Sequence, residues 1–476
     1  MSKVIPVITW ASPIWWTGTN YVIQHLSLAY NLSARWITGL PINTRTTKLL
    51  TCANLPPLDV LLDFKSHLYA IRIISLPDDH CLHPLPTYNP TRKHLAGPNR
   101  ILSYVEYALT DNIETRSKPN LVNLTPLAIH LKKPGTKQES KECQDTHLKW
   151  LQLLPPHAII IYTHGSRLND GKTGAGWVVY SFNHTSGLTV ITEGACYLGD
   201  RMEVFDAELH AVYEAMTNLQ HNHTLPVNTR QIFLCIDNTA AIHVLQNNPD
   251  NILGASMATS ACDAFISEGI SVTTVWTPSH CGIAGNERAD NLAKSGTGMD
   301  CACPHKYTSV AWMTRQAKAK FVEDWRRKLG MDSLSWKIPV FWQNLNFHTA
   351  SQVFKIYCGR TSADPLPWKE PVQCRCETDT LSSKHLIQKC PLFDRQRDKI
   401  RGSQITPPQL SNSSILDPDW HHPLLQFAKE IGLGDGKDLK WPTMIGSDEE
   451  EPVSACDSNN AESDGGGDCF QVGAFE

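Results

Sequence analysis

Between residues 155 and 298 the sequence switches repeatedly between strand-like and helix-like patterning, and the order of those switches limits the folds open to the chain more than any other feature. HAIIIYT, GAGWVVYS and LTVITEGACY are short β-branched or aromatic runs broken by Gly, Asn and Asp, the pattern of a three-strand antiparallel meander. In VFDAELHAVYEAMTNLQ, Leu209, Val212, Met216 and Leu219 recur at helical spacing, and small Ala211 and Ala215 permit close packing on a sheet. RQIFLCID then reads as a buried strand, TAAIHVLQ and LGASMATSACDAFISE as helices, SVTTVWT as a strand and NERADNLAK as a helix. The order βββαβααβα predicts an α/β domain: a five-stranded mixed sheet, part antiparallel and part parallel, with helices on its faces.

A chain of 476 residues has room for further domains around this one. Residues 1–85 carry helical spacing at Leu58, Leu61, Leu62, Leu68, Ile71, Ile74 and Leu76, with Pro56 and Pro57 marking a helix start. Residues 86–150 are rich in Pro, Asn, Thr and Lys with little periodicity and read as a linker. A helical segment is expected over 305–400. Its first part, 310–329, is amphipathic and basic, which suits either contact with phosphates or a solvated face. Residues 401–446 are poorly defined by pattern. The last segment, 447–476, holds nine acidic and no basic residues and is expected to be disordered. Without it 43 basic residues face 38 acidic ones, a mild excess that suggests a nucleic-acid partner only weakly. Fifteen irregularly spaced cysteines fit reduced thiols and metal ligands better than a disulfide framework. No apolar run is long enough for a membrane span and no signal peptide is legible, so cytoplasm or nucleus is the expected location.

The chemistry-bearing residues sit at the ends of the expected elements: YTHGS at 162–166, Glu208, Asp237, and HCGIAGNERAD at 280–290. Strand ends beside a central sheet can gather carboxylates, whose repulsion a divalent cation neutralises. Two such ions about 3.5 to 4 Å apart stabilise the attacking and leaving oxygens of a phosphodiester displacement, and hard oxygen ligands favour Mg²⁺ or Mn²⁺.

On these motifs the segment resembles the RNase H domain of fungal non-LTR (LINE-like) retrotransposon polyproteins. The resemblance implies an RNase H-like fold, a type 1 ribonuclease H endonuclease cutting the RNA strand of RNA/DNA hybrids, and two Mg²⁺ or Mn²⁺ ions. It places three of the four metal-binding acids on Glu208 in DAELHAV, Asp237 in LCIDNTAAI and Asp290 in GNERADNLA. His280 in WTPSHCGIAGNE corresponds to a mobile histidine assisting product release or proton transfer. Ser166, Asn238 and Asn286 fall at positions implied to contact nucleic acid, though Asn238 equally suits capping the helix after it. The first acid departs from the pattern, because YTDGS reads YTHGS and His164 stands where a metal-bridging Asp belongs. A neutral imidazole has one lone pair and no negative charge, so it cannot bridge two Mg²⁺ ions. Two functional expectations follow: an endoribonuclease, or a catalytically impaired domain that grips hybrid without cutting it.

The flanks carry the same resemblance. SPIWW, ARWITG and LPPLDVLLDFKSHLYAIRI are similar to the segment between polymerase and RNase H, while the paired-Asp turn of a reverse-transcriptase core is missing, so the chain reads as a truncated element. CRCETDTLSSKHLIQKC gives Cys374, Cys376, His385 and Cys390, a Cys₃His set that suits tetrahedral Zn²⁺, or else incidental cysteines in a helical hairpin.

Overall fold

The computed structural model describes residues 3–77, 79–80, 113–116, 124–127, 134–222, 225–226, 228–247, 252–299, 307–330, 346–365, 369–401, 421–433 and 439–442. In chain order the helices are α1 (Val4–Thr9), α2 (Ser12–Trp15), α3 (Asn20–Thr38), α4 (Thr46–Cys52), α5 (Leu58–Ile74), α6 (Lys137–Gln152), α7 (Val204–Asn222), α8 (Thr239–Asn247), α9 (Leu253–Ser267), α10 (Ala284–Gly296), α11 (Val310–Leu329), α12 (Phe347–Cys358), α13 (Ser383–Gln388), α14 (Asp394–Arg401) and α15 (His421–Glu430). The strands are β1 (Thr125–Leu127), β2 (Ile159–Arg167), β3 (Thr173–Asn183), β4 (Gly187–Gly199), β5 (Gln231–Ile236) and β6 (Ser271–Trp276).

The expected five-stranded mixed sheet is β2 to β6. β2, β3 and β4 form the antiparallel meander, while β5 and β6 run parallel to β2. The spatial order is β1-β6-β5-β2-β3-β4, so the chain adds one short strand to the expected five. On one face α7, α8 and α9 bury Leu209, Val212, Met216 and Leu219 with Ile159, Ile161, Ile232 and Leu234. On the other, α6 and α10 cover Ile160, Tyr162, Val178 and Cys235.

The segment 86–150, read as a linker, is structured where it is described. Thr125–Leu127 pairs in parallel with Thr273–Val275 at the sheet edge, where Pro126 is tolerated because an edge strand leaves one side of its backbone unpaired. The α6 helix opens on a capping box in which Thr136 and Glu139 exchange side-chain and backbone hydrogen bonds. Glu114 is buried and joins two other helices: its carboxylate accepts from Leu253 N at 2.9 Å and Val310 N at 2.7 Å, at the N-terminal ends of α9 and α11.

His147 of α6 is buried and its Nε2 lies 2.7 Å from the Tyr162 hydroxyl. Burial lowers its pKa from the ordinary 6.5 to about 4. Because the unfolded chain takes up this proton more readily than the folded protein, the contribution is fully present above 6.5 and is lost as pH falls toward 4. Denaturant unfolding across that window is expected to show wild type losing roughly 3 kcal/mol more than His147→Gln, which keeps a polar partner for Tyr162 and cannot titrate. Parallel losses in the two proteins would show that His147 does not carry this dependence.

The N-terminal helices expected over 1–85 are present, and their core closes against the C-terminal half: Trp16, Tyr30, Leu49 and Leu62 pack with Phe321 and Trp325 of α11 and Val353 of α12. The basic face of α11 is engaged within the chain, with Arg315 paired to Glu203, Arg327 and Lys320 to Asp324, and Lys328 to Asp59. Every described cysteine is a free thiol. Among the described residues no helix is long and apolar enough to cross a membrane. The acidic segment 447–476 lies outside the described residues, as do 402–420 and 86–112.

Candidate active site

The central strand β2 runs alongside β5 and β3, so the ends of β2 and β5 lie side by side and His164 comes next to Asp237, the residue that follows β5. Two glycines let helices close in on this point. A Cβ on Gly165 would sit 2.4 Å from Val204 O and 2.9 Å from Glu208 N, so only glycine lets the start of α7 lie against β2. At Gly176 of β3 a Cβ would meet Ala293 N at 2.2 Å, so the same logic seats α10 and its Asp290.

Glu208 is buried and held by two donors, Thr163 Oγ1 at 2.9 Å and Gly165 N at 2.7 Å. Burial first, and the charge of Asp237 second, push its carboxyl up to about 7. Asp290 is buried on α10, and one of its oxygens receives Lys294 Nζ at 2.6 Å. His164 stands between the acids: Nε2 is 3.1 Å from Asp237 Oδ2 and Nδ1 is 3.7 Å from Asp290 Oδ1. Nδ1 also lies 2.9 Å from the carbonyl of Gly165. Both ring nitrogens therefore face acceptors, an arrangement that suits the doubly protonated ring. Burial opposes that charge, but the Asp237 hydrogen bond and the charges of Glu208, Asp237 and Asp290 outweigh it and raise the pKa to about 9.

The structure thus brings together Glu208, Asp237, Asp290 and His164. His280 joins from the loop before α10: it is exposed, sits at φ 57°, and its imidazole comes within 4.8 Å of ligand atoms of Glu287 and Asp290. Glu287 and Lys294 were not singled out from sequence. Their signal was their helical spacing of three and four residues from Asp290, which puts all three on one face of α10. Ser166 is half-buried near the end of β2, two residues beyond His164. Asn238 caps α8, its Oδ1 accepting from Ala240 N at 3.0 Å and Ala241 N at 3.2 Å, so the capping alternative is realised. Asn286 is buried, and its Oδ1 has no hydrogen-bond partner among the described residues. Asp170 caps its own loop by accepting from Lys172 N and takes no part in the acid cluster.

The donor set of Glu208, Asp237 and Asp290 is hard and anionic, as a divalent cation requires. His164 supplies no fourth carboxylate, and with both nitrogens facing acceptors it has no lone pair free for a metal.

At the C-terminal side, Cys374, Cys376, His385 and Cys390 bring one ligand atom each within 4.8 Å of the others. The Sγ atoms of Cys374 and Cys390 are 3.7 Å apart, and Cys376 Sγ lies 3.1 Å from His385 Nε2. The other ring nitrogen of His385 is buried without a hydrogen bond, 3.7 Å from the Asp379 carboxylate. The segment is a tight turn with a Gln373–Thr380 bridge followed by the short helix α13, not a helical hairpin. Three thiols and one imidazole around one point fit a tetrahedral soft-ligand ion.

A mixed sheet with Glu208, Asp237 and Asp290 gathered around His164 beside its central strands defines an α/β domain with an acidic site. Residues 156–298 match the family model described as RNase H, and the chain carries an RNase H domain over that segment. Similar solved structures include RNase H1 from the archaeon Halobacterium salinarum, at 23% identity over 30% of this chain and 98% of that one, with a TM-score of 0.23. LC11-RNase H1 in complex with an RNA/DNA hybrid is similar at 22% identity over 29% of this chain and 96% of that one, TM-score 0.24. The N-terminal RNase H domain of a Mycobacterium tuberculosis protein is similar at 19% identity over 29% and 98%, TM-score 0.24. A search of curated proteins found no match.

Proposed function

We propose that the domain is a ribonuclease H-type site for RNA/DNA hybrids, derived from a fungal non-LTR retrotransposon polyprotein, whose cutting is impaired by His164. The observation that carries the reading is the gathering of Glu208, Asp237 and Asp290 around His164 beside the central strands β2 and β5. Those three acids would hold Mg²⁺ or Mn²⁺, which when bound supplies an activated water and neutralises charge on the phosphodiester. With His164 in the first position, the residues that would hold two such ions are one carboxylate short. His280, exposed beside Glu287 and Asp290, is placed to exchange a proton with a departing strand. The placement of His164 between Asp237 and Asp290 favours the binding reading over efficient turnover in this chain. The Cys374, Cys376, His385 and Cys390 cluster is proposed to hold one structural Zn²⁺.

Binding tests the reading apart from cutting. Hybrid affinity is expected to fall steeply with salt as phosphate contacts release counterions. Hybrid is also expected to outcompete duplex DNA of the same sequence, because only the hybrid offers 2′-hydroxyls. Equal affinity for hybrid and duplex DNA at several salt concentrations would remove the RNA strand from the proposed recognition.

A further inference from the structure

The helix α6 ends before the segment that matches the RNase H family begins, yet it holds the loop that carries His280. The Gln144 side-chain amide donates to the Gly282 carbonyl at 2.7 Å. Cys281, directly after His280, is buried in one cluster with Cys143 of α6. Gly282 lies at φ +75°, and a Cβ there would meet the Gln144 amide at 3.2 Å. The two residues that follow His280 are therefore both held by α6. His280 itself adopts φ 57°, a left-handed conformation that a residue with a Cβ adopts at a cost. The same helix reaches the central strand through His147 and Tyr162, two residues before His164.

We infer that α6 is a positioning element for His280: Gln144, backed by Cys143, fixes the loop so that the exposed imidazole faces Glu287 and Asp290. The inference deepens the function proposed above and rests on it for the role of His280, but not for the geometry. Gln144 is a positioning residue, since its contact is to the loop backbone and not to the reacting groups.

Two variants separate positioning from folding. Gln144→Ala removes the donor, and Gln144→Glu keeps the length but cannot donate. In the His164→Asp protein, where cleavage is strong enough to measure, both are expected to lower kcat by about tenfold with KM within about twofold, because a loosened loop misplaces its histidine without weakening the grip on hybrid. Independently, alkylation of Cys281, followed by peptide mapping in the otherwise unchanged full chain, is expected to speed up at least about tenfold in both variants, while Cys235 and Cys262 of the sheet core stay protected. Unchanged Cys281 labelling overturns the brace. Equal acceleration at all three cysteines also overturns it, by showing general loosening. Faster labelling at Cys281 alone with kcat unchanged overturns the positioning of His280. If even the His164→Asp protein cuts no hybrid, the proposed function fails, and the brace is decided by the labelling alone.

Discussion

Replacing His164 with aspartate is expected to raise Mg²⁺-dependent release of RNA from a labelled hybrid by about a thousandfold, equivalent to roughly 4 kcal/mol of barrier. The His164 ring lies between Asp237 and Asp290 with both nitrogens directed at acceptors, an arrangement that favours its charged form at the centre of the acid cluster. Aspartate there removes that internal counter-charge and adds a carboxylate, which strengthens the demand for a divalent ion and supplies the missing ligand. Mn²⁺ accepts nitrogen ligands more readily than Mg²⁺ and is expected to rescue wild type partly, where it displaces a ring proton of His164 and so frees a lone pair. The double variant His164→Asp with Asp237→Asn controls for a contaminating nuclease. Wild type that cuts as fast as His164→Asp in Mg²⁺, with activity abolished by Asp237→Asn alone, would show that the first carboxylate is dispensable in this chain.

The second large effect concerns the Cys₃His cluster. Purified protein is expected to hold one Zn²⁺ per chain, and Cys390→Ser or a strong chelator should make residues 369–401 sensitive to protease while the sheet domain stays resistant. Apparent zinc-binding free energies in small zinc-finger peptides reach about 10 to 16 kcal/mol near neutral pH, far more than so short a segment can gain from burial. Part of its packing is independent of metal, since Phe393 and Ile387 lie in one cluster with Phe427 and Leu424 of α15. Loosening should therefore concentrate on the Cys374–His385 turn. Protein without zinc, and a Cys390→Ser variant as resistant as wild type, would leave the cysteines as packing residues.

Much of the site was legible because its residues sit in strongly patterned elements. The β-branched runs around His164 and Asp237, and the helical spacing around Glu208, assign these residues to strand and helix from the sequence alone. What escaped lay in weakly patterned sequence. TPL at 125–127 is three residues containing a proline, which argues against a central strand but is compatible with an edge. The α6 helix is polar along most of its length, so its periodicity is faint, although Thr136 and Glu139 did spell a capping box. The basic run of 310–329 gave charge but not pairing, because its partners Asp59 and Glu203 are remote in sequence. Asn238 illustrates a residue whose type fits two roles: its Oδ1 caps α8, and the donor role toward nucleic acid falls to its other amide atom.

Glu114, β1 and α6 bear on how far this domain is portable. A graft cut at residues 156–298 would arrive with β6 as a raw sheet edge, α9 without its carboxylate cap, and the His280 loop without its strut. The family signature marks the part of the molecule that holds the chemistry, whereas the part that can be moved to a new host begins at least forty residues earlier, with Glu114. Any recombination that respected only the signature would transplant the acids and leave their scaffolding behind.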